Sequence, residues 1–243
     1  MKCLILAAGY ATRLYPLTEN FPKPLLKVKN KTILDWLIED IKASEEVDEF
    51  IVISNHKFLA HFEEWADNRA GITVIDDGTT SNDSRLGAVR DVQFAIDRLS
   101  LDDDMLVIAG DNLLDFSLSV FINYAKSKKT SAIMRYFEED ESRLKKSGVL
   151  EIDENDLVIG MEEKPQNPKS NWCCPPFYYY TQKDARLIRQ GIADGCSTDA
   201  PGSYIAWLCT KADIHAMQMP GKRYDIGTLD SYHQINEEYL GIS

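Results

Sequence analysis

Residues 3–14 read Cys-Leu-Ile-Leu-Ala-Ala-Gly-Tyr-Ala-Thr-Arg-Leu. The apolar run Cys3–Ala8 is too short for a helix and stops at a glycine, so it predicts a buried strand. Small residues in the turn after it allow backbone N–H groups to approach an anion, and Arg13 adds a positive charge. Spacing alone leaves a phosphate-binding turn and an ordinary surface turn as equal alternatives, because the glycines match neither the P-loop nor the dinucleotide fingerprint.

Strand-like and helix-like segments alternate through the first half of the chain. Helical spacing of apolar residues recurs at residues 33–41, where Thr32 can cap the start, and at residues 86–99. Further helices are predicted over His56–Asn68 and Leu118–Lys126, and further strands over Glu49–Ser54, Ile72–Ile75 and Met105–Ala109. This alternation predicts an α/β fold with a parallel sheet covered on both faces.

The second half reads as strands with turns between them, followed by helices. Strands are predicted over Ser131–Tyr136, Gly148–Ile152, Leu157–Glu163, Cys174–Tyr180 and Ile214–Met219, and helices over Lys183–Ile192, Tyr204–Thr210 and Thr228–Tyr239. No linker, low-complexity tract or repeat divides the sequence. We therefore predict a single domain over residues 1–243.

Composition and charge exclude several classes of protein. The 243 residues carry 27 Lys and Arg against 39 Asp and Glu, a formal charge of −12. This balance argues against nucleic-acid binding, which usually needs an excess of cations. No signal peptide or membrane span is predicted. An odd number of cysteines, five, without a Cys-x-x-Cys pair favours a reducing, cytoplasmic location; whether the chain forms a homo-oligomer stays open.

Two aspartates follow or precede glycine turns in positions suited to a cation. Asp111 comes directly after the predicted strand that ends in Ala109-Gly110, and Asp225 stands two residues before Gly227. Mg²⁺ typically takes one or two protein carboxylates and fills its other positions with water and phosphate oxygens. Each aspartate could equally be a helix cap or turn residue, and spacing cannot show that the two meet.

The segment Met161-Glu-Glu-Lys-Pro165 places a lysine directly after a predicted strand. Pro165 disfavours helical backbone at the preceding residue, so we expect Lys164 to be extended. A lysine presented in this way suits a phosphate, although such a run is more commonly a solvated face.

Five motifs occur in a fixed order along the chain: Ala-Ala-Gly-x-x-Thr-Arg-Leu at 7–14, Pro-Lys-Pro-Leu at 22–25, Gly-Asp-Asn at 110–112, Glu-Glu-Lys-Pro at 162–165 and Asp-x-Gly-Thr at 225–228. The series resembles the sugar-phosphate nucleotidyltransferase family, whose members include glucose-1-phosphate thymidylyltransferase. The resemblance implies the nucleotide-diphospho-sugar transferase (Rossmann-like) fold, a mixed, mainly parallel central sheet flanked by helices. It also implies transfer of a nucleoside monophosphate from dTTP, UTP or CTP to a sugar 1-phosphate, with Mg²⁺ as cofactor and release of pyrophosphate.

The resemblance also assigns roles to individual residues. Asp111 and Asp225 would hold Mg²⁺, and Gly148, Glu163 and Lys164 would bind the phosphorylated acceptor. The catalytic residues would be Arg13, Lys23, Lys164 and Asp111. The nucleoside triphosphate would contact Leu6, Ala7, Ala8, Gly9, Arg13, Lys23, Asn82 and Gly87.

Three departures from the family pattern leave the acceptor open. Ala11 replaces the second glycine of the usual Gly-x-Gly-Thr-Arg, and alanine adopts a positive φ only at a cost. Arg223 replaces a tryptophan, and the sugar-site segment of the thymidylyltransferases is replaced by residues 197–203. The replaced sugar-site segment leaves room for one alternative, a cytidylyltransferase acting on a non-sugar phosphate such as phosphocholine. The second alternative is a non-catalytic nucleotide-sensing subunit; such subunits often lose metal carboxylates or the lysine, whereas Asp111, Asp225 and Lys164 are all retained here.

Overall fold

The structure, a computed structural model, describes residues 1–242. Its strands are β1 Lys2–Leu6, β2 Lys27–Val28, β3 Lys31–Thr32, β4 Glu49–Ser54, β5 Ile72–Asp76, β6 Met105–Ala109, β7 Asn112–Leu114, β8 Ser131–Phe137, β9 Gly148–Ile152, β10 Val158–Glu163, β11 Trp172–Cys174, β12 Phe177–Tyr180, β13 Ile214–Gln218 and β14 Arg223–Asp225. Its α-helices are α1 Ile33–Ala43, α2 Leu59–Ala66, α3 Ala88–Leu99, α4 Ser119–Lys128, α5 Glu141–Leu144, α6 Gln182–Ala185, α7 Ile188–Ala193, α8 Gly202–Leu208 and α9 Leu229–Glu238. Short 3₁₀ helices span Thr12–Leu14, Lys23–Leu25 and Asn82–Ser84.

Two compact units make up the described chain. The first unit contains residues 1–85, 109–120 and 220–242, and the second contains residues 86–108 and 121–219. None of the helices within residues 1–242 is long and apolar enough to span a membrane.

Parallel strands form the sheet of the first unit, as the alternating pattern predicts. β4 lies between β1 and β5 and pairs in parallel with both. Helix α1 begins with a capping box, in which the Thr32 side chain accepts from the Asp35 amide and the Asp35 side chain accepts from the Thr32 amide. Its apolar stripe, predicted from the 3.6-residue spacing, is buried at Ile33, Leu34, Leu37, Ile38 and Ile41.

The first unit also contains a two-stranded antiparallel ladder that the sequence does not predict. β14 pairs antiparallel with β7, so that Asp225 lies opposite Asn112 and Arg223 opposite Leu114. Each strand has only three residues, too few for an alternating pattern to be recognised. The ladder brings two sequence segments, separated by about half the chain, side by side.

The sheet of the second unit is mixed. β12 pairs antiparallel with β6 and β8, β11 pairs antiparallel with β8 and β9, and β13 pairs in parallel with β8. β10 completes this sheet beside β9. Together with the parallel sheet of the first unit, this confirms the α/β class.

Several predicted boundaries are wrong in the second unit. The single strand expected over Cys174–Tyr180 is interrupted at Pro175 and Pro176, because proline has no amide hydrogen for a ladder. The helix expected over Lys183–Ile192 is broken into α6 and α7, and the predicted helix Tyr204–Thr210 begins and ends two residues earlier, as α8. In the first unit, the predicted helix His56–Asn68 shortens to α2 at both ends.

Candidate functional site

A buried lysine connects the two predicted metal carboxylates. Lys23 lies in the 3₁₀ helix that follows Pro22, and its side chain is only 7% exposed. Its Nζ lies 2.7 Å from Asp111 Oδ2 and 3.7 Å from Asp225 Oδ1. These two oxygens are therefore at most 6.4 Å apart, the sum of 2.7 and 3.7 Å. The structure brings together three residues that the sequence could only propose one by one.

Close packing at Gly110 fixes the position of Asp111 beside the first strand. The amide of Gly110 donates to the Leu6 carbonyl at 3.0 Å. A Cβ at residue 110 would lie 2.9 Å from Ile5 Cγ2 and 3.2 Å from Leu34 Cδ2, so any larger residue would push the chain away from β1. Asp111 is thereby held next to the end of β1, where the predicted phosphate turn begins.

The charge of Asp111 is stabilised by its cationic neighbours. Burial raises the pKa of this carboxyl, but the ion pair and hydrogen bond with Lys23, together with the charge of Arg223, outweigh burial and lower the pKa below its usual value. The Asp111 side chain keeps 40% of its surface exposed, so it is both ionised and accessible to a ligand. An ionised, accessible carboxylate is what a divalent cation requires.

The donor set fits Mg²⁺ bound together with a phosphate. Within residues 1–242, no group of three or more His, Cys, Asp or Glu side chains is arranged to hold a metal ion. Asp111 and Asp225 supply two carboxylates, and Mg²⁺ bound to a nucleotide typically uses one or two of these and completes its shell with phosphate oxygens and water. The arrangement fits a metal that arrives with its nucleotide better than a permanently bound one.

Residues 7–9 follow β1, and a buried asparagine holds their backbone in place by a hydrogen bond. The Ala7 amide donates to the Ile53 carbonyl at 2.9 Å, and Asn55 Nδ2 donates to the Ala8 carbonyl at 2.9 Å. Asn55 itself is fully buried. Gly9 is exposed and has no atom within 4 Å of where a Cβ would stand. The open space above Gly9 allows a ligand to approach the backbone closely.

Ala11 adopts the left-handed conformation, with φ of 45° and ψ of 42°. Its carbonyl accepts from the Leu14 amide at 3.0 Å and from Thr18 Oγ1 at 2.8 Å, and these bonds hold the turn despite the steric cost to an alanine. Arg13 follows on the 3₁₀ helix and is exposed. The turn thus presents a cation to solvent directly after the strand.

The proposed base-reading residue, Asn82, lies on an exposed 3₁₀ helix of the first unit. Its Oδ1 accepts a hydrogen bond from Arg85 Nη1 at 3.0 Å. Gly87, which the family resemblance places beside the nucleobase, belongs to the second unit and has φ of +91°. A Cβ there would lie 2.4 Å from the Thr198 carbonyl oxygen, so only glycine fits.

The three predicted acceptor residues lie close together in the second unit. Glu163 pairs with Gly148 across the β9–β10 ladder. A Cβ at Gly148 would lie 3.1 Å from Glu163 Oε1, and one at Gly202 would lie 2.0 Å from the same oxygen. Burial raises the pKa of Glu163, the charge of Lys164 lowers it and that of Asp199 raises it, and the pKa is higher overall than usual.

Lys164 is not extended, which corrects the prediction from Pro165. Its φ is +49°, in the left-handed region, and its amide donates to the Ser147 carbonyl at 2.9 Å. Two local contacts accompany this conformation at the end of β10, the backbone bond and the approach of Nζ to Asp199 Oδ2 at 3.8 Å. The Lys164 side chain is 58% exposed and remains accessible to an anion.

Sequence reasoning missed two polar neighbours of Asp111. Asn112 is 2% exposed and donates from Nδ2 to Asp111 Oδ1 at 2.9 Å, and Arg223 Nη1 donates to Asn112 Oδ1 at 2.7 Å. The Gly-Asp-Asn motif contains Asn112 but gives it no role, and Arg223 is only a departure from the family pattern. The signal that could have found them is the pairing of β7 with β14.

A solved structure has the same fold as this chain. The crystal structure of UDP-glucose pyrophosphorylase in complex with UDP-glucose matches with a TM-score of 0.81 and 19% identity, over 98% of this chain and 97% of that one. At this identity the likeness establishes the fold alone. It confirms the Rossmann-like fold expected from the motifs.

The family is established by sequence. The model of the family described as "Nucleotidyl transferase" matches residues 2–241, and the chain belongs to this family. The bifunctional protein GlmU of Methanocaldococcus jannaschii is 32% identical over 227 residues, which cover 93% of this chain and 51% of that protein. The glucose-1-phosphate adenylyltransferase of Fervidobacterium nodosum is 26% identical over 98% of this chain and 60% of its own length. The chain thus spans about half to three-fifths of these relatives.

Proposed function

We propose that this protein transfers a nucleoside monophosphate from a nucleoside triphosphate to a sugar 1-phosphate, releasing pyrophosphate. The observation that carries the proposal is the convergence of Asp111 and Asp225 on the Lys23 ammonium. Family membership and the names of the relatives support this reaction type. The proposed base is thymine, uracil or cytosine. The proposed setting is a single catalytic domain in the cytoplasm, in keeping with an odd number of cysteines, five, in the sequence.

The chemistry needs positioning and charge neutralisation more than a general base. An acceptor phosphate oxygen, already anionic near neutral pH, attacks the α-phosphorus of the triphosphate. The new P–O bond forms as the bond from the α-phosphorus to the bridging oxygen breaks, and pyrophosphate leaves with the electron pair. Holding two polyanions in line can supply on the order of 7–11 kcal/mol in favourable cases.

Residues of the first unit are proposed to bind the triphosphate. The backbone of Leu6, Ala7, Ala8 and Gly9 would lie along the nucleotide, and Arg13 and Lys23 would neutralise the phosphate chain and the departing pyrophosphate. Asn82 and Gly87 are also proposed to contact the base and sugar. Fixed cations of this kind stabilise charge that develops in the transition state.

Asp111 and Asp225 would hold Mg²⁺, which supplies Lewis-acid neutralisation of phosphate charge when it is bound. Lys23 contacts both carboxylates and would therefore neutralise part of their charge beside a bound metal. In the second unit, Lys164 would bind the acceptor phosphate, and Glu163 and Gly148 would contact the rest of the acceptor.

A substrate screen tests the proposal. The protein is incubated with Mg²⁺, each nucleoside triphosphate and a panel of sugar 1-phosphates, and pyrophosphate release is measured. Release that requires one triphosphate and one acceptor together supports the proposal. Adding phosphocholine to the panel separates the cytidylyltransferase alternative, and nucleotide binding without pyrophosphate release from any pair would indicate a sensing subunit instead.

A further inference from the structure

We propose that Arg223 is a positioning residue for the metal-binding carboxylate Asp111 and acts through the side-chain amide of Asn112. The inference rests on the proposed function, because it concerns how the same carboxylate is prepared for a cation.

Four side chains form one continuous hydrogen-bonded series. Arg223 Nη1 donates to Asn112 Oδ1 at 2.7 Å, and Asn112 Nδ2 donates to Asp111 Oδ1 at 2.9 Å. Lys23 Nζ donates to the other oxygen, Asp111 Oδ2, at 2.7 Å. Both oxygens of the carboxylate are therefore held by donors from different parts of the chain, which fixes the plane of the group. A carboxylate has about four lone-pair sites, so capacity for a cation remains.

The chemistry of the two neighbours allows only one orientation of the Asn112 amide. Arg223 has donors and no acceptor, so it must face the amide oxygen, and the ionised Asp111 has acceptors and no donor, so it must face the amide nitrogen. Without the guanidinium, the buried amide oxygen would lose its donor, and the amide would be held only through its nitrogen, by Asp111 and at 3.4 Å by the Ala109 carbonyl. Arg223 thus holds the other end of the amide and keeps the Asn112 donor fixed against Asp111.

The β7–β14 ladder places Asn112, Arg223 and Asp225 on one face. Asn112 lies opposite Asp225, and Arg223 is two residues from Asp225 along β14, so the side chains of these three residues point to the same side. Asn112 is 2% exposed, and its buried amide is screened little by solvent. Partners that orient metal ligands typically change metal affinity or activity by about 10–100-fold when removed.

The test measures Mn²⁺ binding by electron paramagnetic resonance, in the presence of a triphosphate analogue that cannot react. Arg223→Met is expected to weaken Mn²⁺ binding by about 10–100-fold, and Arg223→Lys, which keeps a donor and the charge, should restore most of the affinity. In an Asn112→Ala background, Arg223→Met should change the affinity by less than about threefold, because the connecting amide is gone. Arg186→Met removes an exposed arginine of the second unit and serves as the control.

Three results would overturn the inference. They are unchanged Mn²⁺ affinity in Arg223→Met, an equal loss in the Asn112→Ala background, and absence of Mn²⁺ binding in the parent protein. Thermal unfolding tests whether each variant is folded. If Arg223→Met does not fold, the Mn²⁺ affinities of Arg223→Lys and Asn112→Ala are compared with that of the parent protein instead. Pyrophosphate release by the parent protein is measured separately, so failure of the proposed function and failure of this inference give different results.

Discussion

Lys23 Nζ lies 2.7 Å from Asp111 Oδ2, across 88 residues of sequence, in an ion pair whose lysine side chain is 7% exposed. The pair joins the Pro22-Lys-Pro segment to the segment that follows β6, and Asp225 approaches the same ammonium at 3.7 Å. A buried ammonium must be compensated, and a carboxylate beside it stays ionised. The same three groups therefore connect three segments of the first unit and form its proposed phosphate and metal site.

Removing the lysine should cost both stability and turnover. In Lys23→Met, two carboxylates lose their cation, and we expect a lower unfolding temperature at pH 7. The pKa of Asp111 is lowered in the folded protein, so its contribution is present above the unfolded-state pKa and is lost as the pH falls through the folded-state value. The difference in unfolding temperature should therefore shrink between pH 7 and pH 3. Lys145→Met, which removes an exposed ion pair of 2.7 Å with Glu141, is the control and should change stability little.

Removing either carboxylate's charge should abolish most of the activity while leaving the fold intact. Asp111→Asn and Asp225→Asn are each expected to reduce turnover by about 10²–10³-fold, the usual effect of losing one well-placed electrostatic group. Asp230→Asn, a neighbouring helix residue outside the cluster, should retain parental turnover. Near-parental rates in Asp111→Asn, measured as pyrophosphate release at saturating Mg²⁺, would remove this residue from the proposed metal site.

Two glycines with positive φ should respond differently to alanine. Gly87 has φ of +91°, and a Cβ at this residue would lie 2.4 Å from the Thr198 carbonyl oxygen. Gly78 has φ of +78°, and a Cβ there would have no atom within 4 Å. Gly78→Ala should cost only the conformational strain, about 1–2 kcal/mol. Gly87→Ala should cost clearly more, because the backbone around residue 198 must also move. Chemical denaturation of both variants measures the difference, and equal losses would contradict the close contact.

The stability contribution of Glu163 should depend on pH in a defined direction. Burial raises its pKa in the folded protein, so the folded state binds more protons than the unfolded state and stability falls as the pH rises through this range. Glu163→Gln removes the penalty, and its unfolding temperature should rise relative to the parent between pH 4 and pH 7. The exposed neighbour Glu162, changed to Gln, supplies the comparison. A constant difference across this range would show that ionisation of Glu163 costs the fold nothing.

Much of the fold could be predicted from sequence, because its main elements have strong periodic patterns. The stripe of α1 and its Thr32 cap lie where the sequence indicates. The first strand is also predicted, although it runs from Lys2 to Leu6 and not over Cys3–Ala8. The β7–β14 ladder could not be predicted, since three-residue strands leave no periodic signal. The left-handed Lys164 could not be predicted either, because its conformation goes with contacts to Ser147 and Asp199 made only in the folded chain.

The sequence predicts which residues form the candidate site, but it does not predict how their side chains are arranged. Motif order pointed to Lys23, Asp111 and Asp225, yet sequence spacing could not show that they meet. The orienting partners Asn112 and Arg223 depend on which residues face each other across the ladder, and this register is set by tertiary structure.

The most direct test of the central claim follows the reaction by ³¹P NMR, with the substrate pair found in the screen. The account predicts that the α-phosphorus becomes joined to the acceptor phosphate, giving the coupled signals of a diphosphate diester together with free pyrophosphate, and that Asp225→Asn forms this product at least about 100-fold more slowly. Unchanged substrates, cleavage to orthophosphate, or equal product formation by Asp225→Asn would contradict it.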